Sequence, residues 1–236
     1  MQPNVSIATF PKSSPFCSHT YINDRYYFTP YDRNSEKKYL VKYIDITKTI
    51  RPDMETYPGD PIVQVISETH NETGDPIISK LSLGSHTGTH IDAPFHVIRN
   101  GDSIADFPLQ LSVGKALVIK SDEPLAKIKK GIENNSIQFL IFKKSCETQQ
   151  FPLITRLLAK EFKELGIELI GTDLLSIDEE STKSFSNHKN ILSQKIWVVE
   201  SLDLSSTISG IYRYMLLPMK TSAHDGSPVR ALLIRK

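Results

Sequence analysis

Past residue 40 the chain alternates short apolar runs with polar, turn-forming stretches. Runs at 116–119, 139–142, 168–170, 196–199 and 214–217 are each short enough to be buried strands. A last run at 229–234 predicts a closing strand, preceded by His224-Asp225-Gly226-Ser227-Pro228, which has the composition of a tight turn. Ile154, Leu157, Leu158, Phe162 and Leu165 recur at helical spacing and predict a helix over 153–165, with Gly166 as its C-terminal stop. That stripe is core packing, not a cofactor site. A weaker helical pattern covers 125–133. The sum is mixed α/β structure with no fixed-period repeat and no low-complexity tract.

Residues 1–40 have another texture. Tyr21, Tyr26, Tyr27 and Tyr31 stand among Ser and Asn without sustained periodicity. An irregular extension is expected here, either disordered or draped over a neighbour, ahead of a single domain at 41–236.

Composition narrows the partners. A chain of 236 residues with 39% hydrophobic content can bury a substantial core. Its formal charge of +1 gives no reason to expect nucleic acid or an anionic membrane. Lys127, Lys129 and Lys130 lack interleaved aromatics and read as a solvated helix face. With no stretch of about eighteen apolar residues and no apolar signal core, a cytoplasmic location without membrane contact is expected. Cys17 and Cys146 are far apart and read as free thiols in a reducing compartment.

One segment carries chemistry. His86, His90, Asp92 and His96 fall within eleven positions. Gly88, Pro94 and the β-branched Thr87 and Thr89 oppose a regular helix, so the segment is expected to be extended or looping. Residues two apart then share a face, which brings His90 and Asp92 together, and Gly88 lets the backbone fold His86 onto the same point. Imidazole with carboxylate suits Zn²⁺, Mn²⁺ or Fe²⁺, and His86, His90 and Asp92 form the expected triad. A hydrogen-bonded histidine patch is the bland alternative, disfavoured because neighbouring imidazoles are costly to desolvate without a shared ion. Such an ion activates water to hydroxide and polarises a carbonyl, while His96 moves the proton. On spacing alone, His188 reads as a loop histidine, Glu200 as a strand-end carboxylate and His224 as a turn residue.

The run His86, Gly88, Thr89, His90, Asp92, Pro94, His96 resembles the signature of the cyclase-like family of metal-dependent hydrolases, of the bacterial kynurenine formamidase and isatin hydrolase kind. Weaker matches follow in order at Asp45-Ile-Thr, Tyr57-Pro-Gly-Asp-Pro61, Gly171 through Asp178, His188, Val199-Glu200 and Asp225-Gly-Ser-Pro-Val-Arg230. The resemblance spans about 41–236 and implies a compact mixed-sheet swivelling β/β/α domain, assembled as a homodimer or larger oligomer. It implies that His86, His90 and Asp92 bind metal, that His96 and His188 serve a second ion or proton transfer, and that Glu200 completes the site. Asp92 and Glu200 would bridge where two ions are held. The cofactor expected is a divalent metal, Zn²⁺ first and Mn²⁺ next, as one or two ions. The function implied is hydrolysis of a small amide, arylformamide or cyclic amide by metal-activated hydroxide. Lactone hydrolysis, cyclase or dehydratase chemistry at the same metal, or non-catalytic ligand binding, are the alternatives. Three places depart from the family pattern and are expected to border the pocket: Tyr57 where tryptophan is frequent, Lys143-Lys144-Ser145-Cys146 after the second predicted strand, and His224.

Overall fold

The computed structural model of the chain describes residues 17–22, 25–30, 41–67, 76, 78–145, 150–179 and 184–235. Its strands are β1 (Cys17–Ile22), β2 (Arg25–Pro30), β3 (Val41–Asp45), β4 (Gln64–Ser67), β5 (Ser79–Ser82), β6 (His90–Asp92), β7 (Val113–Lys120), β8 (Phe139–Lys143), β9 (Leu169–Thr172), β10 (Trp197–Glu200), β11 (Gly210–Pro218) and β12 (Gly226–Arg235). The α-helices among the described residues are α1 (Leu125–Glu133), α2 (Arg156–Glu164) and α3 (Ser186–Leu192). No helix among them is long and apolar enough to cross a membrane.

Strands β7, β8, β9 and β10 are parallel neighbours, and each helix lies in the connection between two of them. Parallel strands require such crossovers. β11 pairs antiparallel with β7 and β12, and the three-residue β6 pairs antiparallel with both β10 and β12. That double pairing closes β6, β10, β9, β8, β7, β11 and β12 into a barrel-like ring. β3 lies against β12 outside the ring, β2 and β1 continue that edge, and β4 and β5 form a separate hairpin.

Period-two alternation sorts the side chains of the parallel strands into two cores. Ala116, Val118, Phe139, Ile141, Leu169, Trp197 and Val199 join one cluster with Tyr214, Leu216 and Leu233 from the antiparallel strands. Leu117, Ile119, Leu140, Phe142, Ile170 and Val198 face the opposite way, onto Ile128 and Ile132 of α1, Ala159 and Phe162 of α2, and Ile191 and Leu192 of α3. Burial on both faces is why these strands read as continuous apolar runs.

Several expectations are corrected in detail. The helix expected from 153 begins at Arg156, because the Thr155 side chain caps it by accepting from the Leu158 N–H at 3.2 Å. Leu157 faces solvent rather than the core, and Ile154 is buried ahead of the helix. Gly166 does stop α2, at φ +91°. Gly226 to Pro228 is not turn but strand, since β6 supplies it with a partner. His188 lies on a helix, α3, too short to show a periodic stripe. Of residues 1–40, two segments form the hairpin β1–β2, its second strand paired with β3; the remainder, and Cys146, lie outside the described residues.

Phe162 is fully buried where α2 meets the sheet. Phe162→Ala should lower stability by about 3–5 kcal/mol through lost contacts and a residual cavity. Urea unfolding followed by circular dichroism checks this, and a loss below about 1 kcal/mol would contradict the packing described.

Candidate active site

The seam that closes the ring also builds the site. In β6, Ile91 points into the cluster that holds Val199, so its neighbours His90 and Asp92 project to the opposite face. Glu200 sits directly across from His90 in the register and shares that face. Helix α3 packs on β10 and delivers His188 to the same place. Gly88, at φ +64°, turns the preceding chain so that His86 folds back over β6, as expected of that glycine. Thr89 fastens the turn: its hydroxyl donates to the Ser201 carbonyl at 2.7 Å and accepts from the Lys48 N–H at 2.8 Å.

The resulting cluster is dense. Asp92 Oδ1 lies 2.7 Å from His86 Nδ1 and 3.3 Å from His90 Nε2, while its Oδ2 lies 3.4 Å from His188 Nε2. Glu200 reaches His90 Nε2 at 3.5 Å through Oε2 and His188 Nε2 at 3.3 Å through Oε1, and Oε1 also accepts from the Ile177 N–H at 2.7 Å. His96 stacks near both His86 and His188, with ring centroids 4.3 Å and 5.5 Å away. All six residues expected at the site are therefore brought together.

Each of three imidazoles is held from behind. His90 Nδ1–H donates to the Gly88 carbonyl at 2.8 Å, His188 Nδ1–H to Asp178 Oδ2 at 2.8 Å, and His86 Nε2–H to Asp225 Oδ2 at 3.1 Å. Carbonyl and carboxylate oxygens only accept, so each of those nitrogens carries a proton, and the other ring nitrogen faces the buried carboxylates, that of His86 hydrogen-bonded to Asp92 Oδ1. Asp178 is itself anchored by the backbone N–H groups of Asn187 and His188 at 2.9 and 3.0 Å. Sequence reasoning placed Asp178 and Asp225 in ordered motifs but not in the site. Ligand spacing is a local signal, whereas Asp225 meets a histidine from a distant part of the chain and Asp178 from the far end of a loop.

Burial disfavours charge throughout the cluster, but mutual attraction overrides it. Burial pushes His90 down, yet Asp92 and Glu200 outweigh it and raise its pKa to about 10. Burial is likewise overcome at His188, raised well above the usual value by Glu200, Asp178 and Asp92. Complete burial works to raise Asp92, but His90 and His86 hold it well below the carboxylate range. His96 differs: burial lowers its pKa, reinforced by His86 and His188 against the pull of Asp92.

The cluster fits a divalent cation by its own chemistry. His90 Nε2 and Asp92 Oδ2 are buried without a hydrogen-bond partner among the described residues, an arrangement that is costly unless something else satisfies them. Three donor groups have their ligand atoms within 4.8 Å of one another: His86 with His90 and Asp92, Asp92 with His188 and Glu200, and His86 with His96 and Asp225. The first two share Asp92.

A cavity of about 290 Å³ opens onto these residues, walled by Tyr57, Pro58, Leu175, Ser176 and Phe185. Tyr57 thus borders the pocket as expected. The other two departures do not line it: His224 packs its ring on Phe95 at 5.3 Å, and Lys143, Lys144 and Ser145 face a different cavity with Lys48.

Comparison with known proteins places the chain in a family. A family model described as putative cyclase matches residues 44–179. A kynurenine formamidase of Bacillus cereus is 34% identical over 202 residues, covering 81% of this chain and 97% of that protein. That of Bacillus anthracis is 33% identical with the same coverage. Among solved structures, a predicted metal-dependent hydrolase from Bacillus stearothermophilus is 26% identical, with a TM-score of 0.62 over 83% of this chain and 99% of that one. Isatin hydrolase A from Labrenzia aggregata, at 19% identity and a TM-score of 0.64 over 82% and 93%, shares the fold. The chain belongs to the putative cyclase family.

Proposed function

We propose that this protein is a metal-dependent hydrolase of small amides, acting on non-peptide C–N bonds, with an N-formyl arylamine such as N-formylkynurenine as its first candidate substrate. The observation that carries this reading is the convergence of His86, His90, Asp92, His188 and Glu200 around two unsatisfied buried atoms, beside a histidine of lowered pKa. The kynurenine formamidase relatives, matched over nearly their whole length, support the substrate class.

His86, His90 and Asp92 would hold one ion, and Asp92, His188 and Glu200 would hold a second. Imidazole and carboxylate donors favour Zn²⁺ first and Mn²⁺ next. When bound, such an ion supplies Lewis acidity, polarising a carbonyl and bringing the pKa of water towards neutrality. The remaining work falls to the chain. His96, held neutral near pH 7, accepts a proton at a free ring nitrogen and delivers it to the departing nitrogen, with Glu200 or His188 assisting. Tyr57, Pro58, Leu175 and Phe185 give the cavity apolar walls suited to an aryl group. A homodimer or larger oligomer and a cytoplasmic location belong to the same proposal; the exposed Ile62, Val65, Ile66, Ile78 and Leu81 around the β4–β5 hairpin offer apolar area for assembly.

A second reading keeps the site and changes the reaction. A solved relative at 26% identity is described as a potential metal-dependent hydrolase with cyclase activity, and the same residues serve lactone opening or cyclisation. Matched amides and lactones distinguish the two.

Three outcomes are expected. His90→Ala should abolish chelator-sensitive metal binding and N-formylkynurenine hydrolysis together; elemental analysis and turnover assays check this, and full metal with wild-type turnover would refute the site. His96→Gln should keep metal on the His90–Asp92 pair yet lose about 10²–10⁴-fold in kcat. Undiminished turnover there would favour a role in ligand binding alone. Because His86, His90 and His188 have raised pKa values in the metal-free chain, ion binding must displace their protons. Zn²⁺ added to chelator-stripped protein in weak buffer at about pH 7 should release protons, and affinity should fall as pH falls. Loading without proton release would count against imidazole ligation.

A further inference from the structure

The turn between β11 and β12 lies far in sequence from the histidine cluster, yet it touches His86 at several points. Asp225 Oδ2 accepts from His86 Nε2–H at 3.1 Å and from the Ser85 hydroxyl at 2.7 Å. The Asp225 carbonyl accepts from the Ala93 N–H at 2.9 Å, which ties the turn to the end of β6. Gly226 follows, and a Cβ there would stand 2.9 Å from His86 Cε1. The imidazole therefore lies close against a backbone with no side chain, gripped at its outer nitrogen. His90 and His188 are nearly closed off from solvent, whereas the His86 side chain keeps 16% of its exposure. It is the most exposed of the three rings.

We infer that Asp225 is the positioning residue of His86: by holding Nε2–H it fixes the ring plane that presents Nδ1 to the Asp92 side of the site. The inference rests on the metal-binding reading above and extends it to a residue that does not itself hold the ion. It parallels Gly88 behind His90 and Asp178 behind His188, so all three imidazoles share one design. An oxygen acceptor on the far nitrogen orients the ring and raises its basicity as a ligand, and loss of such a partner typically costs about 10–100-fold in metal affinity. Ser85 in turn orients Asp225, which places a hydroxyl and a carboxylate in series behind the ring.

The test measures Zn²⁺ affinity and stoichiometry on the chelator-stripped full chain, by competition with a chromophoric chelator. Asp225→Ala should bind the same number of ions about 10–100-fold more weakly. Asp225→Asn should recover most of that loss, since its amide oxygen still accepts from Nε2–H; a merely structural role would not follow the acceptor in this way. Unchanged affinity in Asp225→Ala would overturn the inference. So would loss of a whole ion equivalent with the remainder at wild-type affinity, which would make Asp225 a ligand alongside His86 and His96. Should Asp225→Ala not fold, by the melting curve of the stripped chain, Ser85→Ala carries the test, with weaker Zn²⁺ binding expected and unchanged binding overturning it. His90→Ala run in parallel separates the two readings. If it still binds Zn²⁺ as wild type, the metal site itself fails; if it does not and Asp225→Ala does, only the positioning role fails.

Discussion

Everything at this site depends on burying two carboxylates. Asp92 is wholly inaccessible and Glu200 nearly so, each far more expensive to desolvate than the methylene groups around them. Imidazoles make the burial tolerable, and His90 answers both acids at once, at 3.3 and 3.5 Å. Removing one member leaves an uncompensated buried charge, so the cluster stands or falls as a unit. The contacts of His90 Nε2 and Asp92 Oδ2 are ion pairs only, since neither atom has a hydrogen-bond partner among the described residues.

The backbone meets this demand through a very short strand. β6 has three residues, but it is clasped on both sides, by β10 and by β12. A one-residue slip against either neighbour would send His90 and Asp92 into the barrel and Ile91 out of it. Ile91 is therefore as important to the site as His90 and Asp92 are, because its burial with Val199 locks the register that faces His90 to Glu200. The chemistry lies on the helix-facing side since the barrel interior is already filled with Trp197, Phe139 and Tyr214.

Much of this was legible in the chain. The His86–His96 segment announced itself because its ligands are close in sequence, and the apolar runs of β7 to β10 because burial on both faces leaves no polar positions among them. Helix α3 was not legible: seven residues give too little periodicity, so His188 read as a loop residue until resemblance and structure placed it. Gly226-Ser227-Pro228 misled for the opposite reason. Their composition favours a turn, but pairing with β6 overrides that preference, and Gly226 is needed for the space it leaves under His86 rather than for its conformational freedom. Asp178 and Asp225 stayed hidden because their partners are distant or out of register, and only folding reveals whom a carboxylate faces.

The groups around each ring divide the histidines of this one cluster between raised and lowered pKa. His86 and His188 each have an acid behind the ring, and His90 faces Asp92 and Glu200, which favours the protonated ring in all three. His96 packs beside two imidazoles, and burial together with those neighbours lowers its pKa against the pull of the nearby carboxylates. Proton affinity within this one segment is thus set by the surroundings of each ring, not by residue type. The segment that supplies His86, His90 and His96 contains three chemically identical side chains, and β6, the Gly88 turn and the β11–β12 turn give them different surroundings.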